Sequence, residues 1–425
     1  MTVGSTPPKT LYQALFNKRM LICICTGFSS GLPLYLLIQF IPAWLRSFDV
    51  DLSTIGLINL VLFPYTWKFI WSPLVDRFVP PFLGRRRGWM LITQLGLLLA
   101  IASLALYDPT TNLTKIIWTV AIIAFLSATQ DIVIDAARRE ILPDDELGAG
   151  NGFYAQAYRI ASFVPGSLGL ILVGFYPWSV AHLSIAAFML VGIVTTLLMS
   201  ESSKPSEVPH TLKSAVIDPF KEFFDRDGWQ SAVWILLFII FYKLGDSMAT
   251  ALETPFFLDM GFSTVEVGTV AKISKTIGAT VGTILGGVVM IKLGINKSLW
   301  IFGVFQIVSI LGYVALSIVG YNYLMLAVAS GFEYFGVGLG SVALIAFMAK
   351  STSRLFTATQ FALLSSLAAV PRTFISAGTG YIIEAVGYTQ FFLICFACAI
   401  PGMLMLFKIA PWNSQKTAVE ETIAE

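Results

Sequence analysis

Charge and histidine are the two things this chain has least of. Only 12% of its 425 residues are Asp, Glu, Lys or Arg, against about 25% in an ordinary soluble domain. The two histidines, His182 and His210, stand far apart and alone, which argues against a histidine-built metal centre. Cysteine is scarce too. Of Cys23, Cys25, Cys395 and Cys398, the last pair has metal-like spacing, but it lies in an apolar run with no His or carboxylate close by. Buried cysteines of that kind are inert packing residues, so no metal is expected. No Gly-rich Walker-type phosphate loop occurs, which argues against ATP as a driving force, and no cofactor is expected. The formal net charge is only +2 and the cations are strung over many short segments, so no nucleic-acid partner is implied.

Apolar residues make up 56% of the chain. A soluble protein of this length could not hide that much apolar surface, whereas a lipid bilayer covers it. Residues 1–19 are polar, and the first apolar run that follows exceeds twenty residues. That is too long for the core of a cleavable signal, so a membrane span is expected there.

A spanning helix needs about 20 apolar residues. Candidates lie near 20–44, 53–75, 88–107, 115–137, 150–176 and 179–200, then near 229–258, 263–292, 298–319, 321–349, 355–386 and 388–410. The expected fold is therefore an all-α polytopic membrane protein of about 12 helices in two six-helix halves, 1–200 and 229–412. Residues 201–228 form a linker carrying a short interfacial helix around Phe220, Phe223 and Phe224, and 413–425 form a tail. Twelve spans put both termini on one side. On this layout that side holds 19 of the 27 cations, among them Arg85, Arg86, Arg87, Arg138, Arg139, Arg226, Lys350 and Lys408, and the other side holds Arg46 and Lys115. The positive-inside rule makes the rich side cytoplasmic.

The halves echo each other. Ser53-Thr54 opens the second span and Ser263-Thr264 the eighth, 210 residues later, and the loop glycines Gly84 and Gly294 keep the same shift. Repeat-built transporters carry such internal similarity. The loop with Asp76, Arg77, Gly84, Arg85, Arg86 and Arg87 resembles the acidic–basic signature of the major facilitator superfamily, with Ser72 in place of its opening glycine. It can serve as a gating latch or as a positive-inside anchor.

Charges inside the spans carry the functional signal, because each costs about 3 kcal/mol at mid-bilayer and so faces a partner or a wet cavity. The cations are Lys68, Arg159, Lys243, Lys272, Lys275 and Arg372, and the acids in or near spans include Asp131, Asp135, Asp246, Glu253, Glu333 and Glu384. Asp131 and Asp135 are four apart and share a helix face, where one carboxylate raises the other's proton affinity. They are either a proton-coupling pair or a structural pair held by Arg138, Arg139 or a cation from another span. Lys243 and Asp246 are three apart, and protonating the acid would free the cation for an anionic substrate; a pair fixing helix packing is the other reading. Glu333 is a proton or substrate candidate. Gly278, Gly282 and Gly286 form a ladder suited to close packing or to sliding. Tyr65, Trp67, Trp71 and Trp44 are interface anchors or stacking platforms for sugar rings.

Longer strings point to a family. Phe28-Ser29-Ser30-Gly31-Leu32-Pro33-Leu34, the run from Pro64 to Asp76, Pro80 to Trp89, Ser127 to Ala136, Tyr242-Lys243-Leu244-Gly245-Asp246, and Thr359 to Ser365 with Arg372 resemble AmpG-type muropeptide permeases over residues 15–410. Pro371 departs from that pattern, bringing a backbone break where a small residue is expected. The resemblance implies proton-coupled import of anhydromuropeptides, GlcNAc-1,6-anhydroMurNAc peptides, across the bacterial inner membrane for peptidoglycan recycling, which in some species feeds β-lactamase induction. The partners it implies are an anionic glycopeptide, protons and the bilayer. It carries over Lys68, Arg159, Lys243, Lys272, Gln360 and Arg372 as substrate-binding candidates, and Asp131, Asp135, Asp246 and Glu333 as proton-coupling candidates. The alternative is a permease for a siderophore or another organic anion such as acetyl-CoA. A membrane-embedded transferase would want clustered His or Asp in a sizeable loop, so an enzyme is not expected, and a twelve-span repeat argues against a mere receptor or scaffold.

Overall fold

The computed structural model describes residues 17–72, 75, 78–143, 147–200, 221–226, 228–352 and 357–412, and every regular element among them is helical. Asp76, Arg77, most of the 201–228 linker and the tail from 413 lie outside the described residues. Nine described segments are long and apolar enough to cross a membrane: Lys18–Arg46, Arg85–Leu106, Pro109–Ile141, Trp178–Leu198, Gly228–Asp259, Thr264–Met290, Lys292–Val319, Tyr323–Lys350 and Leu363–Ile409. The last is 47 residues long and turns at Gly387 (φ 79°, ψ 168°), so it holds two of the expected spans. The shorter apolar helix Leu52–Trp67 supplies the second span. The fifth runs through Leu147–Ala161, a π-turn at Val164–Gly169 and Leu170–Leu172. Together these account for the twelve spans read from the sequence.

Helices are the form these segments must take, because lipid offers backbone groups no partners and a helix satisfies them internally. Polar residues mark where several begin. Asn17 accepts from the Met20 N–H at 3.1 Å, Asp108 accepts from the Thr110 N–H at 2.8 Å, and Asn322 accepts from the Met325 N–H at 2.9 Å. Ser263 and Glu266 form a reciprocal capping box at the head of the eighth span.

By contact, the chain sorts into two compact units. One comprises the described residues up to Ile41 together with those from Trp67 to residue 200, and the other comprises Pro42–Thr66 together with the described residues from 221 onward. Small residues set the closest helix approaches within each. In the first unit, a Cβ on Gly27 or Gly31 would stand 2.5 or 2.4 Å from the carbonyl oxygen of Tyr154 or Tyr158. In the second, the ladder glycines Gly278 and Gly282 lie under the Gly331 and Phe335 carbonyls, where a Cβ would come within 2.1 and 2.3 Å. Gly286 meets Leu339 at 3.3 Å, so the ladder is a packing seam between the eighth and tenth spans.

The internal repeat reaches the backbone. Gly84 (φ 85°, ψ −177°) and Gly294 (φ 73°, ψ 168°), 210 positions apart, adopt the same left-sided conformation, which only glycine enters without strain. The break expected at Pro371 is a π-turn, Pro371–Ile375, and the fifth span carries a matching π-turn around Pro165. Proline explains both, since it removes a backbone donor and crowds the preceding turn.

Candidate functional site

In the first unit, three sequence candidates meet. Asp131, on the fourth span, is buried, and the Ser30 hydroxyl of the first span donates to its Oδ1. Ser30 in turn shares a 2.8 Å hydrogen bond with the hydroxyl of Tyr154 on the fifth span. Lys68, where the second span tightens into a 3₁₀ turn, places its Nζ 4.0 Å from Asp131 Oδ2 and 3.9 Å from Asp135 Oδ2. Asp135 is about half exposed (48%) and also takes a 3.0 Å hydrogen bond from Arg138, whose guanidinium lies 3.8 Å over the Tyr154 ring. One ammonium thus serves two carboxylates without a tight bond to either. Trp71 donates to Thr129 at 3.1 Å and packs against Phe125, one turn away on the same helix pair. Trp44, read as a possible interface anchor, is instead wholly buried.

In the second unit, the Lys243 ammonium bonds directly to Asp246, as their three-residue spacing suggests, and lies 3.5 Å from the Ser341 hydroxyl. Glu333 is fully buried and accepts from Ser309 at 2.8 Å. Among the described residues, Asp246 Oδ1, Glu333 Oε1 and both amide atoms of buried Gln306 have no hydrogen-bond partner. A cavity of about 10 Å³, enough for one water, lies against Asp246 and Gln306. Gly336 and Gly340 make room for Ser309 and Gln306, since a Cβ at either would come within 2.5 Å of those side chains.

A third constellation was only half legible. Glu253 takes hydrogen bonds from Lys275 (2.7 Å), Tyr334 (2.8 Å) and Tyr313 (2.9 Å), all buried or nearly so. Its cation is Lys275 of the eighth span. Lys272 is buried one turn before Lys275. Arg372 is half-buried in its π-turn and Arg159 is exposed, and neither forms an ion pair among the described residues. Gln360 bonds Glu222 on the stretch 221–226, whose Phe224 stacks on Trp229. The structure therefore gathers Lys68, Asp131 and Asp135 in the first unit and pairs Lys243 with Asp246 in the second.

The basic loop folds back on its own unit. Arg86 is buried and forks onto Glu140 (3.0 and 2.8 Å), with Arg85 3.5 Å from the same carboxylate. Arg87 donates to the Thr196 and Leu197 carbonyls at 3.0 and 2.8 Å, the end of the sixth span, where a helix dipole favours a cation. At the far end of the spans, Arg46 grips Asp259 with two bonds of 2.6 and 2.9 Å, and Tyr388 donates to the same carboxylate at 2.6 Å.

Comparison with known proteins turns this geometry into a family. The model of the Major Facilitator Superfamily matches residues 20–372. The chain belongs to the Major Facilitator Superfamily. It is a multi-pass membrane transporter of that superfamily and not an enzyme. An anhydromuropeptide permease of Escherichia coli K12 is 40% identical over 398 residues, 93% of this chain and 80% of its own length. An uncharacterized protein of Haemophilus influenzae is 45% identical over 96% of this chain and 98% of its own. Among solved superfamily folds, a D-xylose–proton symporter superposes with a TM-score of 0.73 at 11% identity, over 93% of this chain and 98% of its own. That last likeness speaks to the fold alone.

Proposed function

We propose that this transporter imports anhydromuropeptides across the bacterial inner membrane by proton coupling, with both termini in the cytoplasm. The observation that carries the reading is the near full-length similarity to the E. coli anhydromuropeptide permease. The Lys68–Asp131–Asp135 group supports it. A muropeptide is anionic, and a negative-inside membrane opposes its entry by about 2.3 kcal/mol per charge per 100 mV. Protons moving with it cancel that cost. On this reading, protonating Asp131 or Asp135 weakens the hold on Lys68, whose ammonium then takes a substrate carboxylate. Deprotonation on the cytoplasmic side returns the cation to the acids and releases the cargo. Lys243 and Asp246 repeat the logic in the second unit.

The test is uptake of labelled anhydromuropeptide into proteoliposomes under an imposed proton gradient, with and without an ionophore. Saturable uptake that collapses with the gradient is expected. No uptake by demonstrably folded protein would overturn the substrate, and siderophores and acyl-CoA would then be screened in the same vesicles.

A further inference from the structure

We propose that the second unit carries a binding site for an anionic glycerophospholipid, built at the helix ends where Arg226, Lys350 and Lys408 converge. A cavity of about 730 Å³ opens there, and its lining holds these three cations and no carboxylate. The three come from separate places in the chain. Arg226 belongs to the stretch 221–226, Lys350 ends the tenth span, and Lys408 lies in the last turn of the twelfth. Arg226 donates to the Ser351 carbonyl at 2.7 Å, which fixes the guanidinium at the rim. Lys408 sits 4.5 Å over the ring of Trp234, another lining residue. Among the described residues neither Lys350 nor Lys408 has a carboxylate partner. Arg226 also lies 3.8 Å from Glu222, so Lys350 and Lys408 are the principal cations offered to a phosphate in this concave space, and basic pockets between spanning helices take anionic lipid headgroups.

The surface beside the cavity decides between a lipid and a free phosphate. Leu393, Ile400, Leu404 and Phe407 are large, exposed and spaced seven, four and three apart, so they form one apolar stripe along the twelfth span. Leu404 (58% exposed) lies one turn below Lys408 on the same face. A phosphate held by the cations would have its acyl chains on this stripe. Trp300 adds an interfacial aromatic, edge-on to Phe407 at 4.7 Å, and donates to the Ala410 carbonyl at 3.0 Å. A soluble phosphate has no use for that stripe. The cations all fall on the side that the charge distribution makes cytoplasmic.

The experiment uses the purified full chain in detergent, with thermal unfolding and native mass spectrometry. The probes are phosphatidylglycerol, phosphatidylcholine with the same acyl chains, and glycerol 3-phosphate. Phosphatidylglycerol alone is expected to raise the unfolding temperature and remain bound. The double variant K350A/K408A is expected to bind it about thirtyfold more weakly, from the usual contribution of an interfacial cation. Equal stabilisation by phosphatidylcholine, or by glycerol phosphate, overturns the lipid-specific site, as does an unchanged double variant. Lysine acetylation of the wild-type chain gives a reading that needs no variant. Phosphatidylglycerol should shield Lys350 and Lys408 but not exposed Lys115, and equal labelling of all three with and without lipid would also overturn the proposal.

Discussion

In the first unit Lys68 stands 4.0 and 3.9 Å from two carboxylates and bonds neither closely, whereas in the second Lys275 reaches Glu253 at 2.7 Å and two tyrosines complete the acid's bonding. Both arrangements put opposite charges inside a membrane protein, but they differ in what can be exchanged. Glu253 has three donors, so protonating it would displace a donor and strand a buried ammonium. Lys68 and Asp135 retain partial exposure (32% and 48% of their side chains), so water can reach this pair. Saturation marks a structural pin, and under-coordination marks a group that can change partners. Lys243–Asp246 falls between them: the ion pair is direct, yet one Asp246 oxygen is left over.

The comparison can be broken most forcefully at Glu253. Glu253→Ala should cost about 3–5 kcal/mol by leaving Lys275 buried and unpaired, and Glu253→Ala with Lys275→Met should recover much of it. Thermal unfolding in detergent measures both, and equal losses in the single and double variants would refute the pin. Next in size is Asp246→Asn, which should abolish uphill uptake while leaving the unfolding transition in place. Normal accumulation would remove Asp246 from coupling. Sharper still is the contrast within the first unit. Asp131→Asn, which alters a buried acid bonded by Ser30, should lower uptake by about tenfold, from about 1–3 kcal/mol of lost interaction. Asp135→Asn should lower it less, because Arg138 and solvent share that acid, and the reverse order would show that burial does not set the weight of these two carboxylates. The smallest effect separates backbone from chemistry. Gly294→Ala, at φ 73°, should cost about 1–2 kcal/mol of stability, whereas Gly287→Ala, with no atom within 4 Å of its Cβ, should change little. Similar losses at both would mean that the turn conformation is not the constraint.

The spans were legible because lipid imposes one rule on every segment, and apolar runs of about twenty residues declare themselves. The matched turns at Gly84 and Gly294 were legible because a glycine requirement survives where side chains have drifted. Lys243 and Asp246 could be paired because three residues make neighbours on one helix. The Lys68 pairing could not be assigned, since its partners lie more than sixty residues along the chain. Ser30, Tyr154, Tyr313 and Tyr334 were missed for another reason. Hydroxyls are common in apolar helices, and nothing in their spacing says that they face a carboxylate. Glu140 gave no signal in the sequence, because the Arg86 that it receives lies 54 residues earlier in the chain.

The grip of Arg46 on Asp259 has a consequence for synthesis. Residues 42–66 belong by contact to the second unit, yet they leave the ribosome early, and Asp259 follows Arg46 by 213 residues. At about 5–20 residues per second the wait is roughly 10–40 s. Throughout that interval the end of the first span has no mate, so the nascent first half cannot be a finished object. It has to be held, by lipid, by the insertion machinery or by its own provisional contacts, until the seventh span arrives.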